Sequence, residues 1–400
     1  MSESPTGASS GPAPFDWMAP ALQSLEQSHL RRRRREIIPR PGCRAVVDGR
    51  DVVNFASNDY LDLAGDPRVV AAAQRALTSS GVGARASALV CGRTPWHVAL
   101  ERRIARFERQ TDALLFPTGF AANLGTVGAL VGKGDVVFSD RLNHASLIDG
   151  CRLSGAQIQI YDHHNLGELA RALRDTPTTG RRLIVTDSVF SMDGDLAPLP
   201  RLCDLAEQHA AMLLVDEAHA TGVFGAHGRG VSEHQGVEER ELIRIGTLSK
   251  AVGTLGGFVA GPALLIDWLW NRARPQVFST ALPPAICAAA EQALEIIETE
   301  PARRRQLFER SEMFRAELRR AGISTVTNAE GPIVPVLLEH PQRAVQVAER
   351  LEQAGFFVGA IRPPTVPPGT SRLRITLSSG HDWRDIEQLL ASLSSSLEAC

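Results

Sequence analysis

The six cysteines, Cys43, Cys91, Cys151, Cys203, Cys287 and Cys400, include no C-x-x-C pair. Their scatter argues against a zinc ribbon and against a disulfide framework, and a reducing, cytoplasmic setting is expected. Long apolar runs are lacking as well. The N-terminus, Met1-Ser-Glu-Ser-Pro-Thr-Gly, has no apolar signal core, and the most apolar stretch, around Gly256 to Trp270, is broken by Gly261, Pro262 and Asp267. Neither secretion nor a membrane span is expected. Charge of one sign is also missing: Lys+Arg 43 against Asp+Glu 45 leaves a net charge of -2. No overall basic field draws the chain to nucleic acid or an anionic bilayer. No repeat of fixed period is present, which excludes solenoids and propellers.

What is there is an ordinary globular chain, 44% hydrophobic and 22% charged, whose 400 residues exceed what one core usually supports. Residues 1–14 are mostly Ser, Gly, Pro and Ala with little to bury, and read as a disordered tail. The segment 15–57 carries an amphipathic pattern (Trp17, Leu22, Leu25, Leu30) that runs into five consecutive arginines, Arg31 to Arg35, either a solvated helix end or an anion site. From 58 to 284, helical spacing alternates with short apolar runs at Ala113-Phe116, Val136-Ser139, Gln157-Tyr161, Leu183-Thr186, Met212-Val215, Leu242-Gly246 and Gly257-Ala260. That alternation predicts an α/β domain with a mostly parallel sheet covered by helices. Residues 285–400 read as a smaller α+β domain. Its helices are expected near Pro284-Thr299, Ala302-Ala321 and Gln342-Ala354, and its strands at Ile333-Leu338, Phe357-Ile361 and Leu373-Leu377.

Several strands of the larger domain end at a polar residue: Asp140, Asp187, Asp216 and Thr247. Ligands of open α/β sheets sit beyond the carboxyl ends of the strands, so these residues face the expected site. Leu213-Leu-Val-Asp216-Glu-Ala-His219 delivers a carboxylate and an imidazole there, and Lys250 follows the next strand. A lysine that forms a Schiff base, opposite an acid that keeps a pyridine nitrogen protonated, is the wiring of a pyridoxal phosphate site. A metal site is not expected, because Asp216 and His219 have no third ligand at metal-like spacing. Thr118-Gly-Phe-Ala-Ala-Asn123 opens a helix whose N–H groups can receive a phosphate, although the glycine spacing of a Walker loop is absent. His144 ends another strand, as a capping residue or as a ring stacked on a flat cofactor.

Asn58-Asp-Tyr-Leu61, Gly119-Phe-Ala-Ala-Asn123, His144-Ala-Ser146, Phe190-Ser-Met-Asp-Gly-Asp195, Val215-Asp-Glu-Ala-His219, Gly228-Arg-Gly230 and Thr247-Leu-Ser-Lys250 resemble the motifs of the α-oxoamine synthases, a fold-type-I family dependent on pyridoxal phosphate. The likeness spans roughly Leu30 to Leu397. It implies a seven-stranded, mostly parallel sheet with a smaller C-terminal domain, and a decarboxylative condensation of an amino acid with an acyl thioester. Ile361-Arg-Pro-Pro-Thr-Val-Pro-Pro-Gly-Thr370 and Arg372-Leu-Arg374 resemble the members that join L-alanine to a pimeloyl thioester, on coenzyme A or acyl carrier protein, in biotin synthesis. Other members use glycine or serine with a different acyl-CoA.

The resemblance also implies roles. Lys250 becomes the Schiff-base lysine, Asp216 the partner of the pyridine nitrogen, and His144 the ring that stacks on the cofactor. Ser191, His219 and Thr247 would hold its phenolic oxygen and phosphate, with N–H groups of Gly119 and Phe120 on the phosphate. Members are homodimers with shared active sites, and Ser279 and Thr280 match a segment that reaches the second copy's phosphate. Arg362 matches a grip on the amino-acid carboxylate, Thr365 a substrate contact, and Arg32, by ungapped counting back from Asn58, an acyl-substrate contact. One loop departs from the pattern: Gly81-Val-Gly-Ala-Arg-Ala-Ser-Ala-Leu-Val-Cys-Gly92 has Ala84, Arg85 and Cys91 in a segment that is usually Gly/Ser-rich.

Overall fold

The computed structural model describes residues 13–399, so the expected tail falls almost wholly outside the described residues. Ala13, the first described residue, donates its N–H to the Asp16 carboxylate at 2.7 Å. The first helix, Met18–Gln27, buries none of its residues, and it stops short of the arginine run. Arg31 to Arg35 therefore form an extended segment, not the helix end that the amphipathic pattern suggested. Three short strands follow, β1 (Ile37–Arg40), β2 (Arg44–Val47) and β3 (Arg50–Asn54).

The central sheet is built from β4 (Asp112–Phe116), β5 (Val136–Asp140), β6 (Gln157–Tyr161), β7 (Arg182–Asp187), β8 (Met212–Asp216), β9 (Ile243–Thr247) and β10 (Gly257–Gly261). Their spatial order is β4-β10-β9-β8-β7-β5-β6. Only β10 opposes the rest, lying antiparallel to both β4 and β9. All seven strands fall where the apolar runs predict them. Five end one residue further, so that Asp140, Asp187, Asp216, Thr247 and Gly261 belong to the ladder. Alternation sorts the side chains: Leu213 and Val215 enter one core and Leu214 the other, because successive residues face opposite sides of the sheet. With both faces covered, these strands are apolar nearly throughout.

The C-terminal unit pairs β11 (Ile333–Glu339) with β14 (Ser371–Thr376), and β13 (Gly359–Ile361) with the other edge of β14. The strand predicted over Phe357-Ile361 is two strands that diverge at Val358. Before it, β12 (Phe356–Phe357) runs parallel to β3, and after it the chain turns to β14. The early hairpin is thereby locked to the C-terminal unit, and Thr376 N–H donates to the Phe55 carbonyl at 2.8 Å. The Phe55 and His381 rings stack at 4.1 Å. Among the described residues, no helix is long and apolar enough to cross a membrane.

Candidate active site

The parallel register of β7 and β8 sets Asp187 beside Asp216 at the carboxyl edge of the sheet. Both are buried. Asp216 is held at each oxygen: Asn123 Nδ2 donates to Oδ2 at 2.6 Å and Ala218 N–H to Oδ1 at 2.8 Å. Asn123 Nδ2 also reaches Ser146 Oγ at 2.9 Å. The neighbouring Asp187 accepts the His144 N–H at 2.6 Å, and burial, reinforced by the charge on Asp216, holds its carboxyl well above the usual carboxylate range.

Lys250 faces the two carboxylates. Burial pulls its ammonium down to about 8; Asp216 and Asp187 oppose that fall, and Arg374 adds to it. His144 caps the helix Ala145–Ser154, with Nδ1 2.7 Å from Ser146 Oγ, and burial lowers its proton affinity. His219 lies 2.6 Å, through Nδ1, from Tyr60 Oη. Burial, then the nearby charges of Lys250 and Arg374, push His219 well below the ordinary imidazole value and keep it neutral.

A second element of the site is the N-terminus of the helix Gly119–Leu130. Thr118 caps it by accepting the Ala121 N–H at 3.0 Å, and the first N–H groups of a helix have no partner within it. Glycine is required here by close approach. A Cβ on Gly119 would stand 3.2 Å from Thr247 Oγ1, and one on Gly257 would fall 2.5 Å from the Thr118 carbonyl oxygen and 2.6 Å from Gly119 N. Strand β10 therefore presses its bare backbone against the helix start and fixes where those N–H groups point.

Arg374, on β14, ties the smaller unit to this edge. Its Nε donates to the Ser191 carbonyl at 2.6 Å, Nη1 to Asn58 Oδ1 at 3.0 Å, and Nη2 to Tyr60 Oη at 3.3 Å. Arg372 donates to the Met192 carbonyl at 3.1 Å and to Asp193. The sequence reading assigned no role to Asn123, Ser146, Tyr60 or Arg374. All four stand inside its motifs, but what they hold is set by strands and helices far away in the chain. Asp187 was visible as a strand end without a stated partner.

The remaining expected residues form two other groups. Arg32 Nη2 donates to Thr365 Oγ1 at 3.0 Å across 333 positions, and Arg362, half-buried, donates to the His29 carbonyl at 2.6 Å. Thr365 N–H donates to the Arg362 carbonyl at 3.0 Å, and burial and the charge of Arg32 lower the proton affinity of Arg362 while Glu349 opposes them. Arg31 and Arg33 are paired with Glu26, and Arg35 with Glu352. Arg32 is not spent on a carboxylate in this way. Thr280 is bridged to Ser87 in the loop of unusual composition, next to Ser279.

Asp216, held at both oxygens with the Asp187 carboxyl beside it, faces the lysine and offers an acid to which a cationic pyridine nitrogen could pair. Capped N–H groups for a phosphate, an imidazole at the rim and a lysine with lowered proton affinity complete a donor set that fits pyridoxal phosphate. The protein is a pyridoxal-phosphate-dependent enzyme of fold type I, an acyltransferase. Its residues 50–393 match the aminotransferase class I and II family. It is 50% identical over 383 residues, 96% of each chain, to the 8-amino-7-oxononanoate synthase of Anaeromyxobacter dehalogenans (strain 2CP-1 / ATCC BAA-258). The synthase of Geobacter sulfurreducens is 47% identical over 94% of this chain and 96% of its own. Among solved structures, the serine palmitoyltransferase of Sphingomonas wittichii superposes with a TM-score of 0.92 at 34% identity, covering 96% of this chain and 97% of its own. An 8-amino-7-oxononanoate synthase from Francisella tularensis does so with 0.76 at 29% identity, covering 87% and 98%. The chain belongs to the aminotransferase class I and II family and, within it, to the α-oxoamine synthases, beside the 8-amino-7-oxononanoate synthases.

Proposed function

We propose that this enzyme condenses L-alanine with a pimeloyl thioester to give 8-amino-7-oxononanoate, CO2 and free thiol, as a step of biotin synthesis in the cytoplasm. The observation that carries the reading is the 50% identity, end to end, with synthases of that product, against 34% for the serine palmitoyltransferase whose fold superposes so well. Fold likeness alone would favour serine and a long acyl chain. The Arg32–Thr365–Arg362 group argues for anionic substrates instead, since guanidiniums that form no ion pair among the described residues can receive the alanine carboxylate and the distal carboxylate of a pimeloyl chain.

In this reading Lys250 would hold the cofactor through its amine and, once free, would remove the alanine Cα proton. A lysine brought down to about 8 has the proton affinity of a general base that works near neutral pH. Pyridoxal phosphate, when bound, supplies the electron sink for the charge left on Cα. Asp216, fixed by Asn123 and the Ala218 N–H, keeps the pyridine nitrogen protonated. His144 covers the ring, while Ser191 and His219 address the phenolic oxygen. Gly119, Phe120 and Thr247 hold the phosphate, joined by Ser279 and Thr280 from the second copy of a homodimer. Arg362 would grip alanine by its carboxylate and orient it for loss of the Cα proton, and Arg32 with Thr365 would receive the acyl substrate. Cα attacks the thioester carbonyl, the thiolate leaves, the carboxyl departs as CO2, and Lys250 returns a proton to Cα.

The test is a competition. Purified protein with pyridoxal phosphate is given alanine, glycine and serine together with pimeloyl, acetyl and palmitoyl thioesters, and the ketones are identified by mass. Alanine with pimeloyl should dominate. A dominant product from serine and palmitoyl, or from glycine and acetyl, would overturn the reading.

A further inference from the structure

One buried ionic group at the carboxyl edge of the sheet has no part in the chemistry above. Asp140 ends β5, Asp195 closes the turn Phe190–Asp195, and both are buried. His163 bridges them: Nδ1 lies 3.1 Å from each oxygen of Asp140, and Nε2 lies 2.7 Å from Asp195 Oδ2. An imidazole that meets a carboxylate at each nitrogen donates from both, which makes it an imidazolium. Its ring is also packed, against His164 at 3.9 Å and edge-on to Phe190 at 4.3 Å. His164 Nε2 stands 3.3 Å from the same Asp195 oxygen. Shared protons suit this group better than a metal ion. Two ligands of one tetrahedral zinc, each about 2.0–2.1 Å from it, stand roughly 3.3 Å apart, whereas 2.7 Å is the length of a charge-assisted hydrogen bond.

The turn that this bridge anchors is the one that carries Ser191. Phe190 N–H donates to the Asp195 carbonyl at 3.0 Å and Gly194 N–H to the Phe190 carbonyl at 2.7 Å. Just before the turn, Ser188 Oγ donates to the Asp216 carbonyl at 3.0 Å. Within it, the Ser191 carbonyl accepts Arg374, which in turn reaches Tyr60, the partner of His219. We propose that His163 is a positioning residue: clamped as a cation between Asp140 and Asp195, it fixes the Phe190–Asp195 turn and thereby sets Ser191 and Arg374 at the cofactor. The proposal rests on the reading of Ser191 as a cofactor contact.

The groups that face the clamp define its pH range. Asp140 comes from β5, Asp195 from the turn and His164 from the loop after β6; Asp140 also acts on Tyr161 and Asp187 on the flanking strands. Burial works against the charge on His163, but the two carboxylates prevail and raise it to about 9, while burial and the His163 charge lower His164. The clamp is therefore closed at neutral pH and opens as pH rises through about 9.

The experiment uses the holoenzyme and its His163→Gln, Asp195→Asn and doubly substituted forms. It reads the dissociation constant of pyridoxal phosphate and the pH titration of the bound cofactor's visible band. Each single change should weaken retention about tenfold, the loss expected for one charge-assisted hydrogen bond. The double change should lose no more than either alone, and the step near pH 9 in wild-type retention should vanish from His163→Gln. Additive losses, or wild-type retention and titration in His163→Gln, would overturn the proposal. If His163→Gln does not fold, Asp195→Asn, which keeps the side-chain volume, is judged by the same two readouts. Ser191→Ala separates the two claims: unchanged retention there, beside weakened retention in His163→Gln, refutes the cofactor role of Ser191 and leaves the clamp acting through Arg374.

Discussion

Covalent capture of the cofactor should follow the titration of Lys250, because only the neutral amine attacks an aldehyde. Burial is the main cause that brings this lysine down to about 8, with Asp216 and Asp187 limiting the fall. The neutral fraction in the apoenzyme is then about 0.1 at pH 7, one half at pH 8 and about 0.9 at pH 9, while a lysine near the ordinary value of about 10.4 would be almost wholly charged throughout. Stopped-flow absorbance of apoenzyme mixed with pyridoxal phosphate, corrected for the cofactor's own titration with a free amine, should show a rate that rises about tenfold from pH 7 to pH 9 and levels off. An unperturbed lysine would give a rise of about a hundredfold with no plateau. Removing one of the opposing carboxylates sharpens the test: in Asp216→Asn the midpoint should move to lower pH, since a charge that favours the ammonium is gone. A midpoint that stays near 10, or that moves upward in the variant, would refute the argument from burial and neighbouring charge.

Three further outcomes follow from other contacts. Asp216→Asn should still take up pyridoxal phosphate yet lose most exchange of the alanine Cα proton into D2O, because an amide cannot balance a pyridinium; wild-type exchange by proton NMR would place the acid elsewhere. Arg32→Ala should raise KM for a pimeloyl thioester by about tenfold or more and spare an acyl chain of equal length without the distal carboxylate, and equal losses would remove Arg32 from the carboxylate's reach. Gly257→Ala puts a methyl group 2.5 Å from the Thr118 carbonyl oxygen and forces the helix start to move, so phosphate retention should fall with little change in alanine KM. Unchanged affinity for pyridoxal phosphate in that variant would mean the helix N-terminus does not carry the phosphate.

The central sheet was legible because strands covered on both faces are apolar nearly throughout and stand out between amphipathic helices. The antiparallel sense of β10 was not, since an apolar run carries no direction. Strands β1 to β3 escaped notice for a different reason. They are short and rich in arginine, and β3 completes its pairing with β12, some 300 positions away. That partner also explains the split of Phe357-Ile361, where one apolar run serves two sheets. In the site, Asp216 was legible as a strand end and Lys250 as a lysine just beyond the next strand. Asn123, Tyr60 and Arg374 were not, because each acts on a residue from another part of the chain. The arginine run shows the same limit: composition could not say which guanidiniums stay out of ion pairs, whereas among the described residues Glu26 and Glu352 take three of the five, and of the two left, Arg32 and Arg34, it is Arg32 that meets Thr365.

The assignment of Lys250 as the residue that bonds to the cofactor is simple to test, because the chain's only lysines are Lys133 and Lys250. Borohydride reduction of the holoenzyme followed by peptide mapping should place the pyridoxyl group on Lys250, and Lys250→Ala should take up none while remaining folded. A pyridoxyl group on Lys133, or labelling that persists in Lys250→Ala, would contradict the site described here.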